Sequence, residues 1–331
     1  MKNAEVGILI PSLSRPKILL KKLRYYQNLN AEFNIFICDS TPIPEVGFKK
    51  ELNKISKNLK ITYFHKPSLN DREALFHLIE NCDTPYSAFI ADDDFFIPEG
   101  LYQCASYLEN NKDCRVAYGK SIIVDQKSLN NQRSPIYASN YWGSKSFLEI
   151  NVEERLTKLS RYYLVNLFGV HRTSEFLEDF KASRSCPSQS MGEVMVNYMT
   201  LSKGKGKFIP SAYLIRQSHA KRYLIPNELS DLLIEDKFGE SIPIFLTSLT
   251  KSLIDSNLSL QDANNISKKV LKLYLNQNVL NSRISFEQKR LISIFQKFYL
   301  RIFNSLKNKF FKNSKYFDEF LFYIKLISKT S

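Results

Sequence analysis

Five uninterrupted apolar residues open the ordered pattern of this chain at positions 6–10 (Val-Gly-Ile-Leu-Ile), too short a run for a helix and without the alternation of a half-exposed strand. Such a run predicts a central strand covered on both faces. Pro11 stops it, and the period then changes. Ser14 is the predicted N-cap and Pro16 stands in the first turn of a helix reaching about Asn28. Its inward positions are Ile18, Leu19, Leu23 and Tyr26, with Lys17, Lys21, Lys22 and Arg24 outward. Further strands are predicted over residues 33–38, 59–64 and 86–91, with helices over 70–81 and 98–110. This alternation with short connections predicts a doubly wound parallel sheet.

The pattern loosens after residue 110. Two β-like runs, 115–119 and 121–124, are separated by Gly119-Lys120, and residues 126–150 are polar and aromatic, as in a lid or binding loop. An apolar stretch over 164–171 leads into Arg172-Thr173-Ser174-Glu175, a capping-box pattern with Thr173 or Ser174 as the cap. A helix is expected over 188–201, a basic turn in a solvated hairpin over 203–207, and a strand over 208–216. From Pro226 onward only helical patterns occur, among them a capping box at Ser285 and Gln288 and a Lys- and Phe-rich segment over 307–329. The predicted organisation is an α/β domain over residues 1–225 and a helical, basic region over 226–331.

Composition narrows the classes. With 44% hydrophobic and 13% aromatic residues in 331, the chain is a folder and not a disordered segment. A formal net charge of +14 favours polyanionic partners: a phosphorylated substrate, an anionic membrane surface or nucleic acid. No recognisable nucleic-acid motif accompanies the charge, so no nucleic-acid partner is expected. Five cysteines without a Cys-x-x-Cys spacing suit a reducing cytosol. No run is apolar enough for a signal segment or a membrane span, so the expected location is cytoplasmic, with peripheral attachment to the inner face of the membrane through the basic, aromatic C-terminal helices.

The chemistry concentrates at Asp92-Asp93-Asp94, three consecutive carboxylates at the end of a buried strand and just before the helix at Pro98. Adjacent like charges repel, and a divalent cation reverses that balance. Mg²⁺ or Mn²⁺ takes hard oxygen ligands and commonly shares them with substrate phosphates. In an open α/β sheet, ligands lie beyond the carboxyl ends of the strands, where these acids fall. No G-x-G-x-x-G follows the first strand and no Walker A sequence occurs, so a nucleotide would need another phosphate anchor. The acids with a metal supply one.

With Pro11-Ser12-x-x-Arg15, Cys38-Asp39-Ser40, Thr84-Pro85-Tyr86, Asp92-Asp93-Asp94-Phe95, Gly169-Val170-His171-Arg172, Gly192-Glu193 and Gln217-Ser218-His219 in this order, the sequence resembles GT-A fold glycosyltransferases, similar to family 2 and its bacterial polysaccharide-assembling relatives. The resemblance spans roughly residues 5–222. It implies a metal-dependent, inverting enzyme using a nucleotide-sugar donor, UDP-linked, and a glycan or lipid-linked acceptor. By the same resemblance Asp94 is the direct metal ligand, with Asp92 and His219 completing the set and Asp92 and Asp93 near the ribose or the metal's waters. Pro11, Ser12, Arg15, Asp39, Ser40 and Arg72 are assigned to the nucleotide, Lys221 and Arg222 to the diphosphate, and Glu193 to the general base. Two departures stand out: Arg72 lies about one turn early, and Val194 follows Glu193 where a second acid is usual. The competing readings are a sugar-phosphate nucleotidyltransferase, disfavoured because residues 11–16 contain no glycine, and a non-enzymatic polyanion-binding protein. The oligomeric state is not implied.

Overall fold

The structure, a computed structural model, describes residues 5–125, 129–130, 136, 138–140, 144–218, 236–280 and 315–330. Strand β1 (Val6–Ser12) is the buried run foreseen above, and it lies between two parallel neighbours. These are β2 (Asn34–Asp39) and β4 (Tyr86–Phe89), with β3 (Ile61–His65) outside β2. The helices between them are α1 (Pro16–Asn28), α2 (Phe48–Ile55) and α3 (Asp71–Glu80). A capping box fixes the start of α3: Asn70 accepts from the Arg72 and Glu73 amides, and Glu73 accepts from the Asn70 amide at 2.9 Å. Helix α2 has no counterpart in the predicted elements. Its apolar positions Phe48, Leu52 and Ile55 sit among lysines, and packing on the sheet decides it.

The second half adds antiparallel strands, and the sheet as a whole is the mostly parallel one expected for this fold class. After β5 (Phe95–Phe96), α4 (Pro98–Asn110), β6 (Cys114–Asp125) and β7 (Ala138–Asn140), the chain forms α5 (Val152–Arg161) and enters β8 (Val170–Arg172) antiparallel to both β4 and β6. Helices α6 (Thr173–Lys181) and α7 (Gln189–Lys203) follow, then β9 (Lys205–Ser218). The strand order is β3-β2-β1-β4-β8-β6-β9-β5, with β7 on β6. The two runs read at 115–119 and 121–124 are one strand, whose pairing with β9 slips at Gly119, Lys120 and Ser121, a bulge rather than a break.

Several local expectations are corrected. Ser14 has φ of 55° and lies before the cap position, which Arg15 occupies without a side-chain bond. Thr173 does not cap α6; its hydroxyl donates to the Thr84 carbonyl at 2.7 Å, fastening the helix to the loop before β4. Residues 203–207 are no hairpin. Lys203 ends α7 on Asp179 and Glu178, and Lys205 begins β9.

After residue 225 the described elements are helical, as expected: α8 (Asp236–Asp255), α9 (Leu260–Tyr274) and α10 (Lys315–Lys329). They share the core of the α/β part. Phe245 stacks edge-on against Tyr198 of α7, and Phe320, Ile324 and Ile327 of α10 are buried, with α10 against α1 and β9. No described helix is long and apolar enough to cross a membrane. The capping box at Ser285 and Gln288 lies outside the described residues.

Candidate active site

Parallel strands β1, β2 and β4 end together, and their carboxyl ends deliver Ser12, Asp39 and the triple Asp to one edge of the sheet. The β1–β2 register sets Ser12 beside Asp39. The Ser40 amide donates to the Ser12 carbonyl at 2.9 Å, and the Ser14 amide donates to the Thr41 hydroxyl at 2.8 Å, so the two strand ends are tied as one ledge. Asp39 is buried. It accepts from the Thr41 amide at 2.9 Å, from the Thr41 hydroxyl and from the Tyr63 hydroxyl at 2.7 Å. Beside it, the buried Ser40 hydroxyl has no partner. Pro11 lies at the same strand end, half-buried.

The three carboxylates diverge. Asp92 accepts from the Ser12 hydroxyl and from Arg15 Nη1, both at 3.0 Å, and the same Arg15 nitrogen lies 3.0 Å from Asp93. Asp94 is buried and turned the other way, accepting from Arg216 Nε and the Gln217 amide of β9, each at 2.8 Å. Burial pushes the Asp92 and Asp94 carboxyls above the ordinary range, and the neighbouring Asp93 charge adds to it. Arg15 opposes the rise at Asp92, and Arg216 opposes it at Asp94.

Two cations of this cluster were not singled out from the sequence. Lys22, expected in solvent, is fully buried, with its ammonium donating to the Ala91 carbonyl beneath the acids. Burial lowers its pKa from 10.5 to about 8, against the pull of Asp92, Asp94 and Asp93. A signal existed: Lys22 falls on the face of α1 that carries Leu19 and Tyr26, three and four residues away. Arg216 is the second, its guanidinium 4.9 Å from the Phe168 ring as well as on Asp94. Three acids thus meet Arg15, Lys22 and Arg216.

Glu193, inside the helix expected over 188–201, is the fifth residue of α7, whose cap is Ser188 accepting from the Met191 amide. It is partly buried and accepts from the Tyr163 hydroxyl at 3.3 Å, while that oxygen accepts from Asn197 at 2.8 Å. Burial raises its pKa, and the Tyr163 bond and the Arg216 charge partly offset the rise. Arg216 therefore acts electrostatically on both Asp94 and Glu193.

Arg72, assigned to the nucleotide from the sequence, is not brought onto the acids. Its guanidinium donates to the carbonyls of Ser183 (3.1 Å), Cys186 and Ser188 (2.9 Å), binding α3 to the turn that starts α7. The forked, planar donor matches three converging carbonyls, which explains its commitment there. A Cβ on Gly192 would lie 2.8 Å from that guanidinium carbon, so the glycine before Glu193 makes room for Arg72. His219, Lys221 and Arg222 lie outside the described residues.

A mostly parallel sheet with an acid cluster at its carboxyl edge, closed by an antiparallel β8 and a long return strand, is the GT-A fold of glycosyltransferases. Solved structures similar to this one include those of S. aureus TarS, a GT-A-type glycosyltransferase. Its 1–349 fragment superposes with a TM-score of 0.55 at 11% identity, over 83% of this chain and 72% of that one. The same fragment in complex with UDP-GlcNAc gives 0.54 at 11% identity over 82% and 73%, and a longer S. aureus TarS structure gives 0.53 at 12% over 82% and 43%. No family model and no curated protein matches the sequence.

Proposed function

We propose that this protein is a glycosyltransferase that moves a sugar from a nucleotide diphosphate, a UDP-sugar, to a hydroxyl of a glycan or lipid-linked acceptor, with inversion, in cell-surface polysaccharide synthesis. The observation that carries the reading is the meeting of Ser12, Arg15, Asp39 and Asp92–Asp94 on one edge of a GT-A sheet. The likeness to S. aureus TarS, whose fragment is known in complex with UDP-GlcNAc and with UDP, supports the choice of donor. In this reading Asp39, whose carboxylate is held by Tyr63 and Thr41, and the unpartnered Ser40 hydroxyl would recognise the nucleoside.

Among the described residues no three His, Cys, Asp or Glu side chains converge on one point. Two do. Arg15 Nη1 stands 3.0 Å from both Asp92 and Asp93, a cationic atom between two carboxylates, and the donor set is hard oxygen with lone pairs to spare. Asp92 and Asp93 would hold Mg²⁺ or Mn²⁺ in place of that nitrogen, which frees Arg15 for a phosphate. Asp94, on Arg216 and Gln217, is the ligand that must first exchange partners. When bound, such a cation supplies Lewis acidity to the departing diphosphate. Arg15 and Arg216 add positive charge where negative charge develops on the leaving oxygen. Glu193 accepts the acceptor's proton, its raised pKa making it a stronger base than an exposed carboxylate.

The test is thermal stabilisation by a panel of nucleotide sugars with and without Mn²⁺, followed by release of free UDP. Saturating ligand at 100 times its Kd adds about 2.7 kcal/mol to stability. Stabilisation by UDP-sugars that disappears in Asp39→Ala and Asp92→Asn is the expected result. Absence of stabilisation across the panel removes the assignment.

A further inference from the structure

A second surface carries its own chemistry. Immediately beyond Asp39 and Thr41, the connection from β2 to α2 turns outward as Pro42-Ile43-Pro44-Glu45-Val46-Gly47. Two large aliphatic side chains stand at its tip in solvent: Ile43 is 86% exposed and Val46 100%. Single exposed apolar residues are ordinary, but these two flank a proline in a six-residue loop and lead into a basic helix. On α2, Phe48, Leu52 and Ile55 face the core, which leaves Lys49, Lys50, Asn53 and Lys54 outward, with Lys57 and Lys60 exposed just after the helix. A cleft of about 600 Å³ between α1 and α2 adds Lys17 and Arg24 to this face, while Lys21 on its wall donates to the Leu129 carbonyl at 2.8 Å and to Asn130 at 2.6 Å. Glu45 and Glu51 are its acids, Glu51 pairing with Lys54 at 2.6 Å and with Arg24 at 3.6 Å.

We propose that the loop over residues 42–47 and the outer face of α2 form a membrane-docking surface for an anionic lipid bilayer, Ile43 and Val46 entering the headgroup layer and the lysines meeting lipid phosphates. An amphipathic helix with a lysine-rich outer face reads as an anionic-lipid surface, and each basic residue near such a surface strengthens binding about fivefold. The aliphatic tip decides between polyanions. A nucleic-acid surface presents aromatic rings or arginines for bases to stack on, and the exposed tip carries neither. The bilayer reading also gives the fully exposed Val46 side chain an apolar environment that the fold does not supply. This surface is separate from the basic, aromatic C-terminal helices expected from the sequence, of which α10 buries Phe320, Ile324 and Ile327 and lies against α1 and β9. The loop leaves the sheet at the ledge of the candidate active site, so docking would set that site beside the bilayer, where a lipid-linked acceptor is presented.

The experiment is flotation of the full chain with phosphatidylglycerol–phosphatidylcholine vesicles and with phosphatidylcholine vesicles alone, in low and high salt. It needs no nucleotide or sugar, so its outcome is separate from that of the donor-binding test. Binding to the anionic vesicles only, weakened by salt, is expected. The triple variant Lys49→Gln, Lys50→Gln, Lys57→Gln should partition about a hundredfold more weakly. Ile43→Ser with Val46→Ser should lose several-fold at unchanged charge. A control with Lys251→Gln, Lys268→Gln and Lys272→Gln, exposed lysines of α8 and α9, should bind as the wild type does. Matching circular dichroism and melting of all variants guards against misfolding. No flotation with anionic vesicles, equal loss in the control, or displacement of the protein from vesicles by single-stranded RNA would overturn the proposal, the last reassigning the surface to nucleic acid.

Discussion

At the residue scale the acid cluster is held by its cations. Lys22 is the extreme case, a lysine without solvent whose pKa falls from 10.5 to about 8, a displacement worth about 3 kcal/mol against the charged form at neutral pH. A lowered lysine pKa means that the unfolded chain binds more protons than the folded one between those two values. Stability contributed by this site therefore rises as pH goes from about 8 to 10.5. Compared with Lys22→Met, the wild type is expected to gain stability across that window, read from urea midpoints of both proteins. Glu193 carries the opposite sign in activity. Its carboxyl pKa is raised by burial, so acid protonates it, and would abolish its proposed use as a base, at a higher pH than it would an exposed glutamate. The acid limb of kcat against pH should lie above the usual Glu range, and Glu193→Gln should lower kcat by about 10²–10⁴-fold with donor KM little changed.

Elements set where those residues stand. Helix α4 seats directly on β9: a Cβ on Gly100 would come 2.2 Å from the Ala212 carbonyl oxygen and 2.9 Å from the Tyr213 Cα. Both obstacles are backbone, so Gly100→Ala must push α4 off the strand that carries Arg216 and Gln217. A loss of about 3 kcal/mol is expected in chemical denaturation, at the upper end of ordinary overpacking. Arg72 works at the same scale, drawing the Ser183, Cys186 and Ser188 carbonyls together so that α7 starts where Glu193 reaches Tyr163. The starts of α1 and α4 were legible in the sequence because their signal is local, a Pro in the first turn, whereas β1 runs on through Pro11, where the sequence reading had stopped it, to Ser12. Strand β6 was split in two because a bulge and a turn carry the same Gly-Lys signal, and only pairing with β9 tells them apart.

For the whole molecule, the helices beyond residue 225 complete the core of the α/β part. Phe245 on Tyr198, the buried Ser202–Ser252 hydroxyl pair at 2.6 Å and the Ser241 hydroxyl accepting from the Ser188 amide at 3.0 Å join α8 to α7. Cutting the chain after residue 225 would bare that face of α7. The fragment 1–225 is expected to aggregate, or to melt without a cooperative transition by circular dichroism, whereas the full chain unfolds cooperatively.

Alone, the sequence determined what is encoded nearby along the chain: the order of the first four strands, the helices α1 and α3 between them but not α2, and an acid cluster at a strand end suited to phosphate and metal chemistry. Hydrophobic period, proline and caps act within a few residues, so they survive without a fold. Tertiary structure decided which charges face which. That Lys22 is buried under Asp92–Asp94, that Arg216 couples Asp94 to Glu193, and that Arg72 serves α7 rather than a ligand all depend on contacts between residues 69 to 122 positions apart or joined through a third side chain. Such pairings have no local signature, because the energy of an ion pair is set by distance and solvent exclusion, and both exist only once the sheet has brought its strand ends together.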